Sequence, residues 1–343
     1  MINPPPQLSL SILGKPLLQL DRQPIKLPTS RGIALLAYLA ISDTPQSRQS
    51  ISTLLWSDSS QKQALAALRT TLWRLKDSGL EDWIVWDRNE VSLNQLQNID
   101  FDVAKFHAAL DRCAAHGHPL SQVCLFCTAA LTDALDVYRG EFMQGFYLSK
   151  AASFESWRIQ QSDYFEMKYL DAIERLVKCH RTFGDFNLAI HYAQIWLTQD
   201  RFNENVYAQL LQLYSITGQR AAGIALYKHY RELFEHELGI EPTTEITALY
   251  KQIISGHTTP TTKKKVKSPV FLIADIEKAA LYWSSAGEQK KTILVKYHEI
   301  FRDASHKFGG ALIQKTEDRN SIIKQDFRSG KRRKLQKSKM AGT

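Results

Sequence analysis

The sequence predicts a mostly helical chain: a small α+β head, a long middle of repeated helix pairs, and a short α/β tail. Three observations predict it. Short alternating apolar runs at residues 8–27 precede three helical periods. From about Phe154 to Ile254 the apolar spacing is helical, with glycine punctuation. After a polar, basic stretch at 258–269, an apolar run at Val270–Ile276 starts a new pattern that ends in carboxylates.

The head reads element by element. Leu8–Gly14 alternates as a half-buried strand, and Pro16–Leu20 and Ile25–Leu27 suit further short strands. Thr29 stands where a cap for a helix over Ser30–Ile41 belongs. Two helices follow, at 48–58 and 61–77, separated by a Ser/Asp-rich turn. The second has an apolar seam of Leu65, Leu68, Leu72 and Leu75, and its far side carries Gln63, Thr70 and Arg74. A helix that packs by one stripe and offers amide, hydroxyl and guanidinium groups on the other suits a DNA major groove. Solvated helices show similar faces, so this pattern alone does not decide. Residues 83–93, two apolar runs around Asp87-Arg-Asn-Glu90, form a hairpin signal in the position of a wing.

Three stretches, in order, carry a family resemblance: Arg31–Ala40, Leu54–Asp58 and Ala67–Leu75. They resemble SARP-type bacterial transcriptional activators. The resemblance implies a winged-helix DNA-binding domain over 8–105, with the helix at 61–77 as recognition helix and the hairpin as wing. On that reading Gln63, Thr70 and Arg74 are candidates for base edges, and Arg69, nearer the seam, for phosphate. Arg31, Arg48 and Lys62 lie near helix starts, where backbone amides also hold phosphates, and Arg88 lies at the wing tip.

In the middle, Gly184-Asp-Phe-Asn-Leu-Ala-Ile190 recurs 34 residues later at Gly218–Ile224, the tetratricopeptide period. Ala134–Phe142, Phe154–Trp157 and Glu235–Pro242 resemble the bacterial transcriptional activator domain that follows the winged helix in such regulators. The resemblance implies a TPR-like helical module over 106–256 that contacts RNA polymerase or other transcription proteins and supports a homodimer. Within it, Gly239 is expected to end one helix and Pro242 to start the next.

Cys113, His116, His118, Cys124 and Cys127 fall within fifteen residues. Thiolates and imidazoles at this density suit a structural tetrahedral zinc; the alternative is an exposed loop with spare Cys and His.

Beyond the linker at 257–269, residues 270–327 resemble the opening of a class III nucleotidyl cyclase domain. There Asp275 matches the first metal-binding Asp, and Asp318 stands near the second, one residue out of pattern. Only about 50 residues share the resemblance, against a domain about three times that size, so a truncated remnant without catalytic activity is expected. Residues 328–343 hold Lys and Arg without an acidic residue and suit a disordered tail.

Charge sharpens these readings. Residues 257–343 hold 20 Lys/Arg and 8 Asp/Glu, while 1–256 hold 24 and 27, so the overall +9 is a property of the tail. Phosphate contacts by the head must then come from a few placed arginines. No apolar run reaches the length of a membrane span, and Met1–Pro6 has no secretion-signal pattern, so a cytoplasmic protein is expected. Four cysteines in 343 residues do not make a disulfide framework. No Gly-x4-Gly-Lys-Ser/Thr loop and no nucleophile triad is readable, so no enzyme is expected. The leading reading is a sequence-specific regulator that binds double-stranded DNA. The alternatives are a nucleotidyl cyclase or nucleotide sensor using Asp275, and a protein-binding scaffold without DNA binding.

Overall fold

A computed structural model describes residues 7–94, 99–115, 124–255, 270–275, 310–315 and 319–324. The chain divides into two units, 1–258 and 259–343.

The first unit opens on β1 (Leu8–Ser11), β2 (Leu17–Leu20) and β3 (Gln23–Pro24). Leu8 and Leu10 point into the core while Ser9 and Ser11 do not, as the alternation predicts. The expected strand at 25–27 is absent. Pro24 and Pro28 flank it, and only the Ile25 amide continues the pairing, to the Leu18 carbonyl at 2.9 Å. Helix α1 (Ser30–Ser42) follows. Thr29 holds its cap position but its side chain makes no capping bond; its carbonyl instead accepts the Gly32 amide at 3.1 Å.

Next come β4 (Gln46–Ser47), α2 (Arg48–Leu55) and α3 (Gln61–Leu75). Ser47 caps α2 by accepting the Ser50 amide at 3.0 Å. One wide turn over Lys76–Leu80, with Gly79 at φ 80°, leads into the hairpin of β5 (Ile84–Trp86) and β6 (Glu90–Leu93). β4 joins this hairpin to make the order β4-β6-β5. β7 (Ile99–Phe101) then returns beside β1 in parallel, giving β3-β2-β1-β7. Buried Leu68, Leu72 and Leu75 hold α3 down; each side chain contributes roughly 1.5–3 kcal/mol of burial.

Helices α4 (Asp102–Ala114), α5 (Leu125–Val137), α6 (Ala152–Phe183), α7 (Phe186–Gln199), α8 (Glu204–Thr217), α9 (Arg220–Leu238) and α10 (Thr244–Ser255) complete the unit. The 34-residue recurrence has a structural cause. Gly184 and Gly218 sit at φ 84° and 72° and end α6 and α8, so each starts a new helix pair. In the second repeat the helices also approach closely: a Cβ on Gly223 of α9 would lie 2.8 Å from Ile253 Cδ1 of α10. Gly239 ends α9 as expected, but α10 starts at Thr244, two residues after Pro242.

The head and the helical middle share one core. The Met143 amide donates to the Ile12 carbonyl at 2.7 Å, and Leu13 bridges Phe142. The Tyr38 and Trp157 rings meet edge-on at 5.4 Å. Asp102, 7% exposed, accepts the Ile12 and Leu13 amides at 2.7 and 2.8 Å and the Val103 amide at 2.9 Å. Arg139 adds a contact at 3.3 Å. Burial pushes the Asp102 carboxyl above its usual range, against these donors and Arg139, which favour the ionised form.

The second unit contributes β8 (Val270–Asp275), β9 (Gly310–Lys315) and β10 (Arg319–Lys324), an antiparallel sheet ordered β8-β10-β9. Asp275 is the last residue of β8 and pairs in register with Arg319. The expected helix over 288–308, Asp318 and the tail at 328–343 lie outside the described residues.

Candidate nucleic-acid interface

Helix α3 buries Ala64, Leu68, Thr71, Leu72 and Leu75. Leu65 of the predicted seam is only half-buried and turns toward the wing. With 3.6 residues per turn, Lys62, Ala66, Arg69, Thr70 and Trp73 run up the exposed face, and Gln63 and Arg74 form one flank.

The other flank opens on a cleft of about 540 Å³ lined by Arg48, Leu65, Arg69, Trp86, Asp87 and Arg88. Three guanidinium-bearing residues from α2, α3 and the wing thus share one concavity. The wing tip is built to hold its shape there. Asp87 Oδ1 accepts the Asn89 and Glu90 amides at 2.7 and 2.8 Å, which hold its carboxyl below the usual range, with Arg48 adding to the effect. The Arg48 amide donates to the Asn89 carbonyl at 2.7 Å, and its guanidinium to the Asp87 carbonyl at 2.7 Å.

The other sequence candidates sit in different settings. Gln63 Oε1 accepts from the Ser60 amide at 3.3 Å and the Ser60 hydroxyl at 2.9 Å, so this side chain serves a capping box. The Thr70 hydroxyl donates to the Ala66 carbonyl at 3.1 Å. Lys62, Arg69, Arg74 and Arg88 are exposed. Arg31 is half-buried and engaged within the protein: it donates to the Leu55 carbonyl at 3.2 Å and the Ser149 carbonyl at 3.1 Å, and lies over the Trp56 ring at 5.5 Å.

Sequence reasoning missed Trp73. It is 62% exposed, on the same face as Ala66 and Thr70. The signal was its spacing, three residues past Thr70 and seven past Ala66, which puts an indole opposite the buried seam.

Among the described residues no three His, Cys, Asp or Glu side chains are arranged to hold a metal ion. His116 and His118 lie outside those residues. Cys113 and Cys127 are buried in helices, the Cys113 thiol donating to the Cys127 carbonyl at 3.5 Å. The expected exposed loop is therefore partly helix–helix interface.

Comparison with known proteins adds the family context. Residues 101–254 match the family described as bacterial transcriptional activator domain. That match spans the helices from α4 to α10. The chain is also 25% identical over 212 residues to a regulatory protein, AfsR, of Streptomyces griseus. This covers 58% of the chain but 19% of that protein, so the chain corresponds to about a fifth of its curated relative. Among solved structures it is similar in fold to Mycobacterium tuberculosis EmbR, determined in complex with a low affinity phosphopeptide. The TM-score is 0.52 and the identity 18%, covering 80% of this chain and 76% of that one. The family match supports the activator-domain reading of the helical middle, and the likeness to EmbR supports the fold. They do not confirm the cyclase resemblance of 270–327.

Among the described residues no helix is long and apolar enough to cross a membrane.

Proposed function

We propose that the chain is a cytoplasmic, sequence-specific DNA-binding transcriptional activator that reads the major groove with α3. The observation that carries this is the cleft between α3 and the wing, where Arg48, Arg69 and Arg88 converge beside a helix face exposing Thr70, Trp73 and Arg74. Residues 1–100 hold 10 Lys/Arg against 9 Asp/Glu, so a broad basic field is not what attracts DNA. Local clustering of cations does that work, and each phosphate contact adds to a steep salt dependence.

Roles divide by setting. Arg74 reads base edges, because its guanidinium stands on the exposed flank of the helix. Thr70 adds a hydroxyl acceptor, and Trp73 an apolar surface for a thymine methyl or a sugar. Arg48, Arg69 and Arg88 hold phosphate between helix and wing, and Lys62 holds it at the start of α3. Gln63 presents only its amide NH2, since its oxygen is engaged by Ser60. Arg31 is not included, because its guanidinium bonds two of the protein's own carbonyls and does not line the cleft, whereas Arg48 lines it and gives one donor to the Asp87 carbonyl.

The domain division we adopt is a winged-helix reader over 8–105 and a TPR-like activator module over 106–256. That module contacts RNA polymerase or another transcription protein and supports a homodimer, by likeness to the family its residues match. Selection of bound sequences from a randomised duplex pool tests the reading. An enriched motif is expected; a pool that stays random after repeated rounds would sink it.

A further inference from the structure

All four cysteines of the chain lie along the seam of α4, α5 and α6. Cys113 ends α4, Cys124 and Cys127 open α5, and Cys179 lies near the end of α6. They differ in setting. Cys113, Cys127 and Cys179 are buried, and burial pushes each thiol above its ordinary range. Cys124 alone is half-exposed. It is also the N-cap of α5: its sulfur accepts the Cys127 amide at 3.3 Å and is hydrogen-bonded to the Cys127 thiol. N-cap and N3 positions place two side chains on the same side of a helix start. The sulfurs here are already neighbours, so a bridge closes with little backbone movement.

We infer that Cys124 and Cys127 form a peroxide-sensitive dithiol whose oxidation produces a disulfide across the first turn of α5. The sulfur of Cys124 attacks one oxygen of the peroxide, the O–O bond breaks, and Cys124 sulfenic acid and water form. The Cys127 sulfur then attacks the Cys124 sulfur. The S–O bond breaks and the hydroxyl leaves as water with the Cys127 proton. In sum, two thiols and one hydrogen peroxide give one disulfide and two waters. Cys124 is the entry point because it alone of the four cysteines is not buried. Cys127 resolves because its sulfur is adjacent while its burial keeps it from reacting first. Cys113 also bonds Cys127, at its carbonyl and at its side chain, but it is buried, so the sulfur that peroxide meets first is that of Cys124; Cys179 is turned to Thr128 and the Cys124 backbone.

The full chain, reduced and freed of reductant, is treated with hydrogen peroxide, then unfolded in denaturant so that buried thiols are reached, alkylated with N-ethylmaleimide and mapped by peptide mass spectrometry. The expected result is a loss of two hydrogens, with label remaining on Cys113 and Cys179 and a bridge between Cys124 and Cys127. In Cys127→Ser, dimedone is expected to trap a sulfenic acid at Cys124. Four alkylatable thiols after peroxide, or a bridge that includes Cys113 or Cys179, would overturn the inference. So would one zinc per chain in the reduced protein, released as Cys124 and Cys127 are alkylated, because the pair would then be metal ligands.

Discussion

Arg48 donates its guanidinium to the Asp87 carbonyl at 2.7 Å, tying the first turn of α2 to the tip of the wing. The two residues are 39 positions apart, and the bond fixes one wall of the arginine-lined cleft. Its consequence is that Arg48 both carries charge into the cleft and holds the wing in place.

Arg48→Ala is therefore expected to weaken binding to specific and scrambled duplexes alike, by roughly 1–3 kcal/mol, and to lower the salt slope by about one. Hydrogen exchange at the Asn89 and Glu90 amides should rise in the unbound variant. An unchanged salt slope would remove Arg48 from the phosphate contacts.

Trp73 gives a direct optical report. Because it is exposed and outside the core, Trp73→Phe should leave the thermal midpoint within about 2 °C, since surface substitutions act within about 0.5 kcal/mol. Addition of operator duplex should change the tryptophan emission of the wild type more than that of Trp73→Phe, in which Trp86 of the cleft still reports. Equal changes in both proteins would place the indole outside the interface.

Asp102 joins the head to the helical middle. Asp102→Ala leaves the Ile12 and Leu13 amides buried without their acceptor, and an expected loss of about 2–4 kcal/mol should appear in urea unfolding. Loss of less than about 0.5 kcal/mol would mean that water replaces the carboxylate at little cost.

His107 and His180 set an acid limit. Burial lowers the proton affinity of both below the ordinary histidine value of 6.5. His107 stacks on Phe165 and His180 on Tyr192. The unfolded chain then binds protons more readily than the folded one. Stability is full above pH 6.5 and falls as the pH drops through that value toward the folded pKa. Urea midpoints at pH 7.5 and 5.5 should differ in that direction, and the double variant His107→Phe/His180→Phe should show a smaller difference. A midpoint that rises on acidification would contradict this assignment.

Much of the fold was legible because it is local. Alternation at Leu8 and Leu10, the Ser/Asp turn before α3 and the repeated glycines at 184 and 218 each act within a few residues. Much of the site was not, because it depends on distant partners. Nothing near Arg31 announces the Ser149 carbonyl, and nothing near Arg48 announces the Asp87 carbonyl. Gln63 was read as an outward side chain from its helical angle, which is correct, yet the capping box with Ser60 engages its oxygen. The density of Cys and His in 113–127 suggested a metal loop, whereas Cys179, far off in sequence, joins three of those residues at one seam.

The central claim is that α3 and the wing bind DNA through placed arginines, and fluorescence anisotropy tests it most directly. The full chain is titrated onto a duplex from its own upstream DNA and onto a scrambled duplex, at two salt concentrations, with wild type and Arg69→Ala/Arg74→Ala. Preferential binding to the upstream duplex that weakens with salt and disappears in the double variant is the predicted result. Equal, weak binding to both duplexes that the double variant retains would contradict it, and would assign the contact to the basic residues after 257.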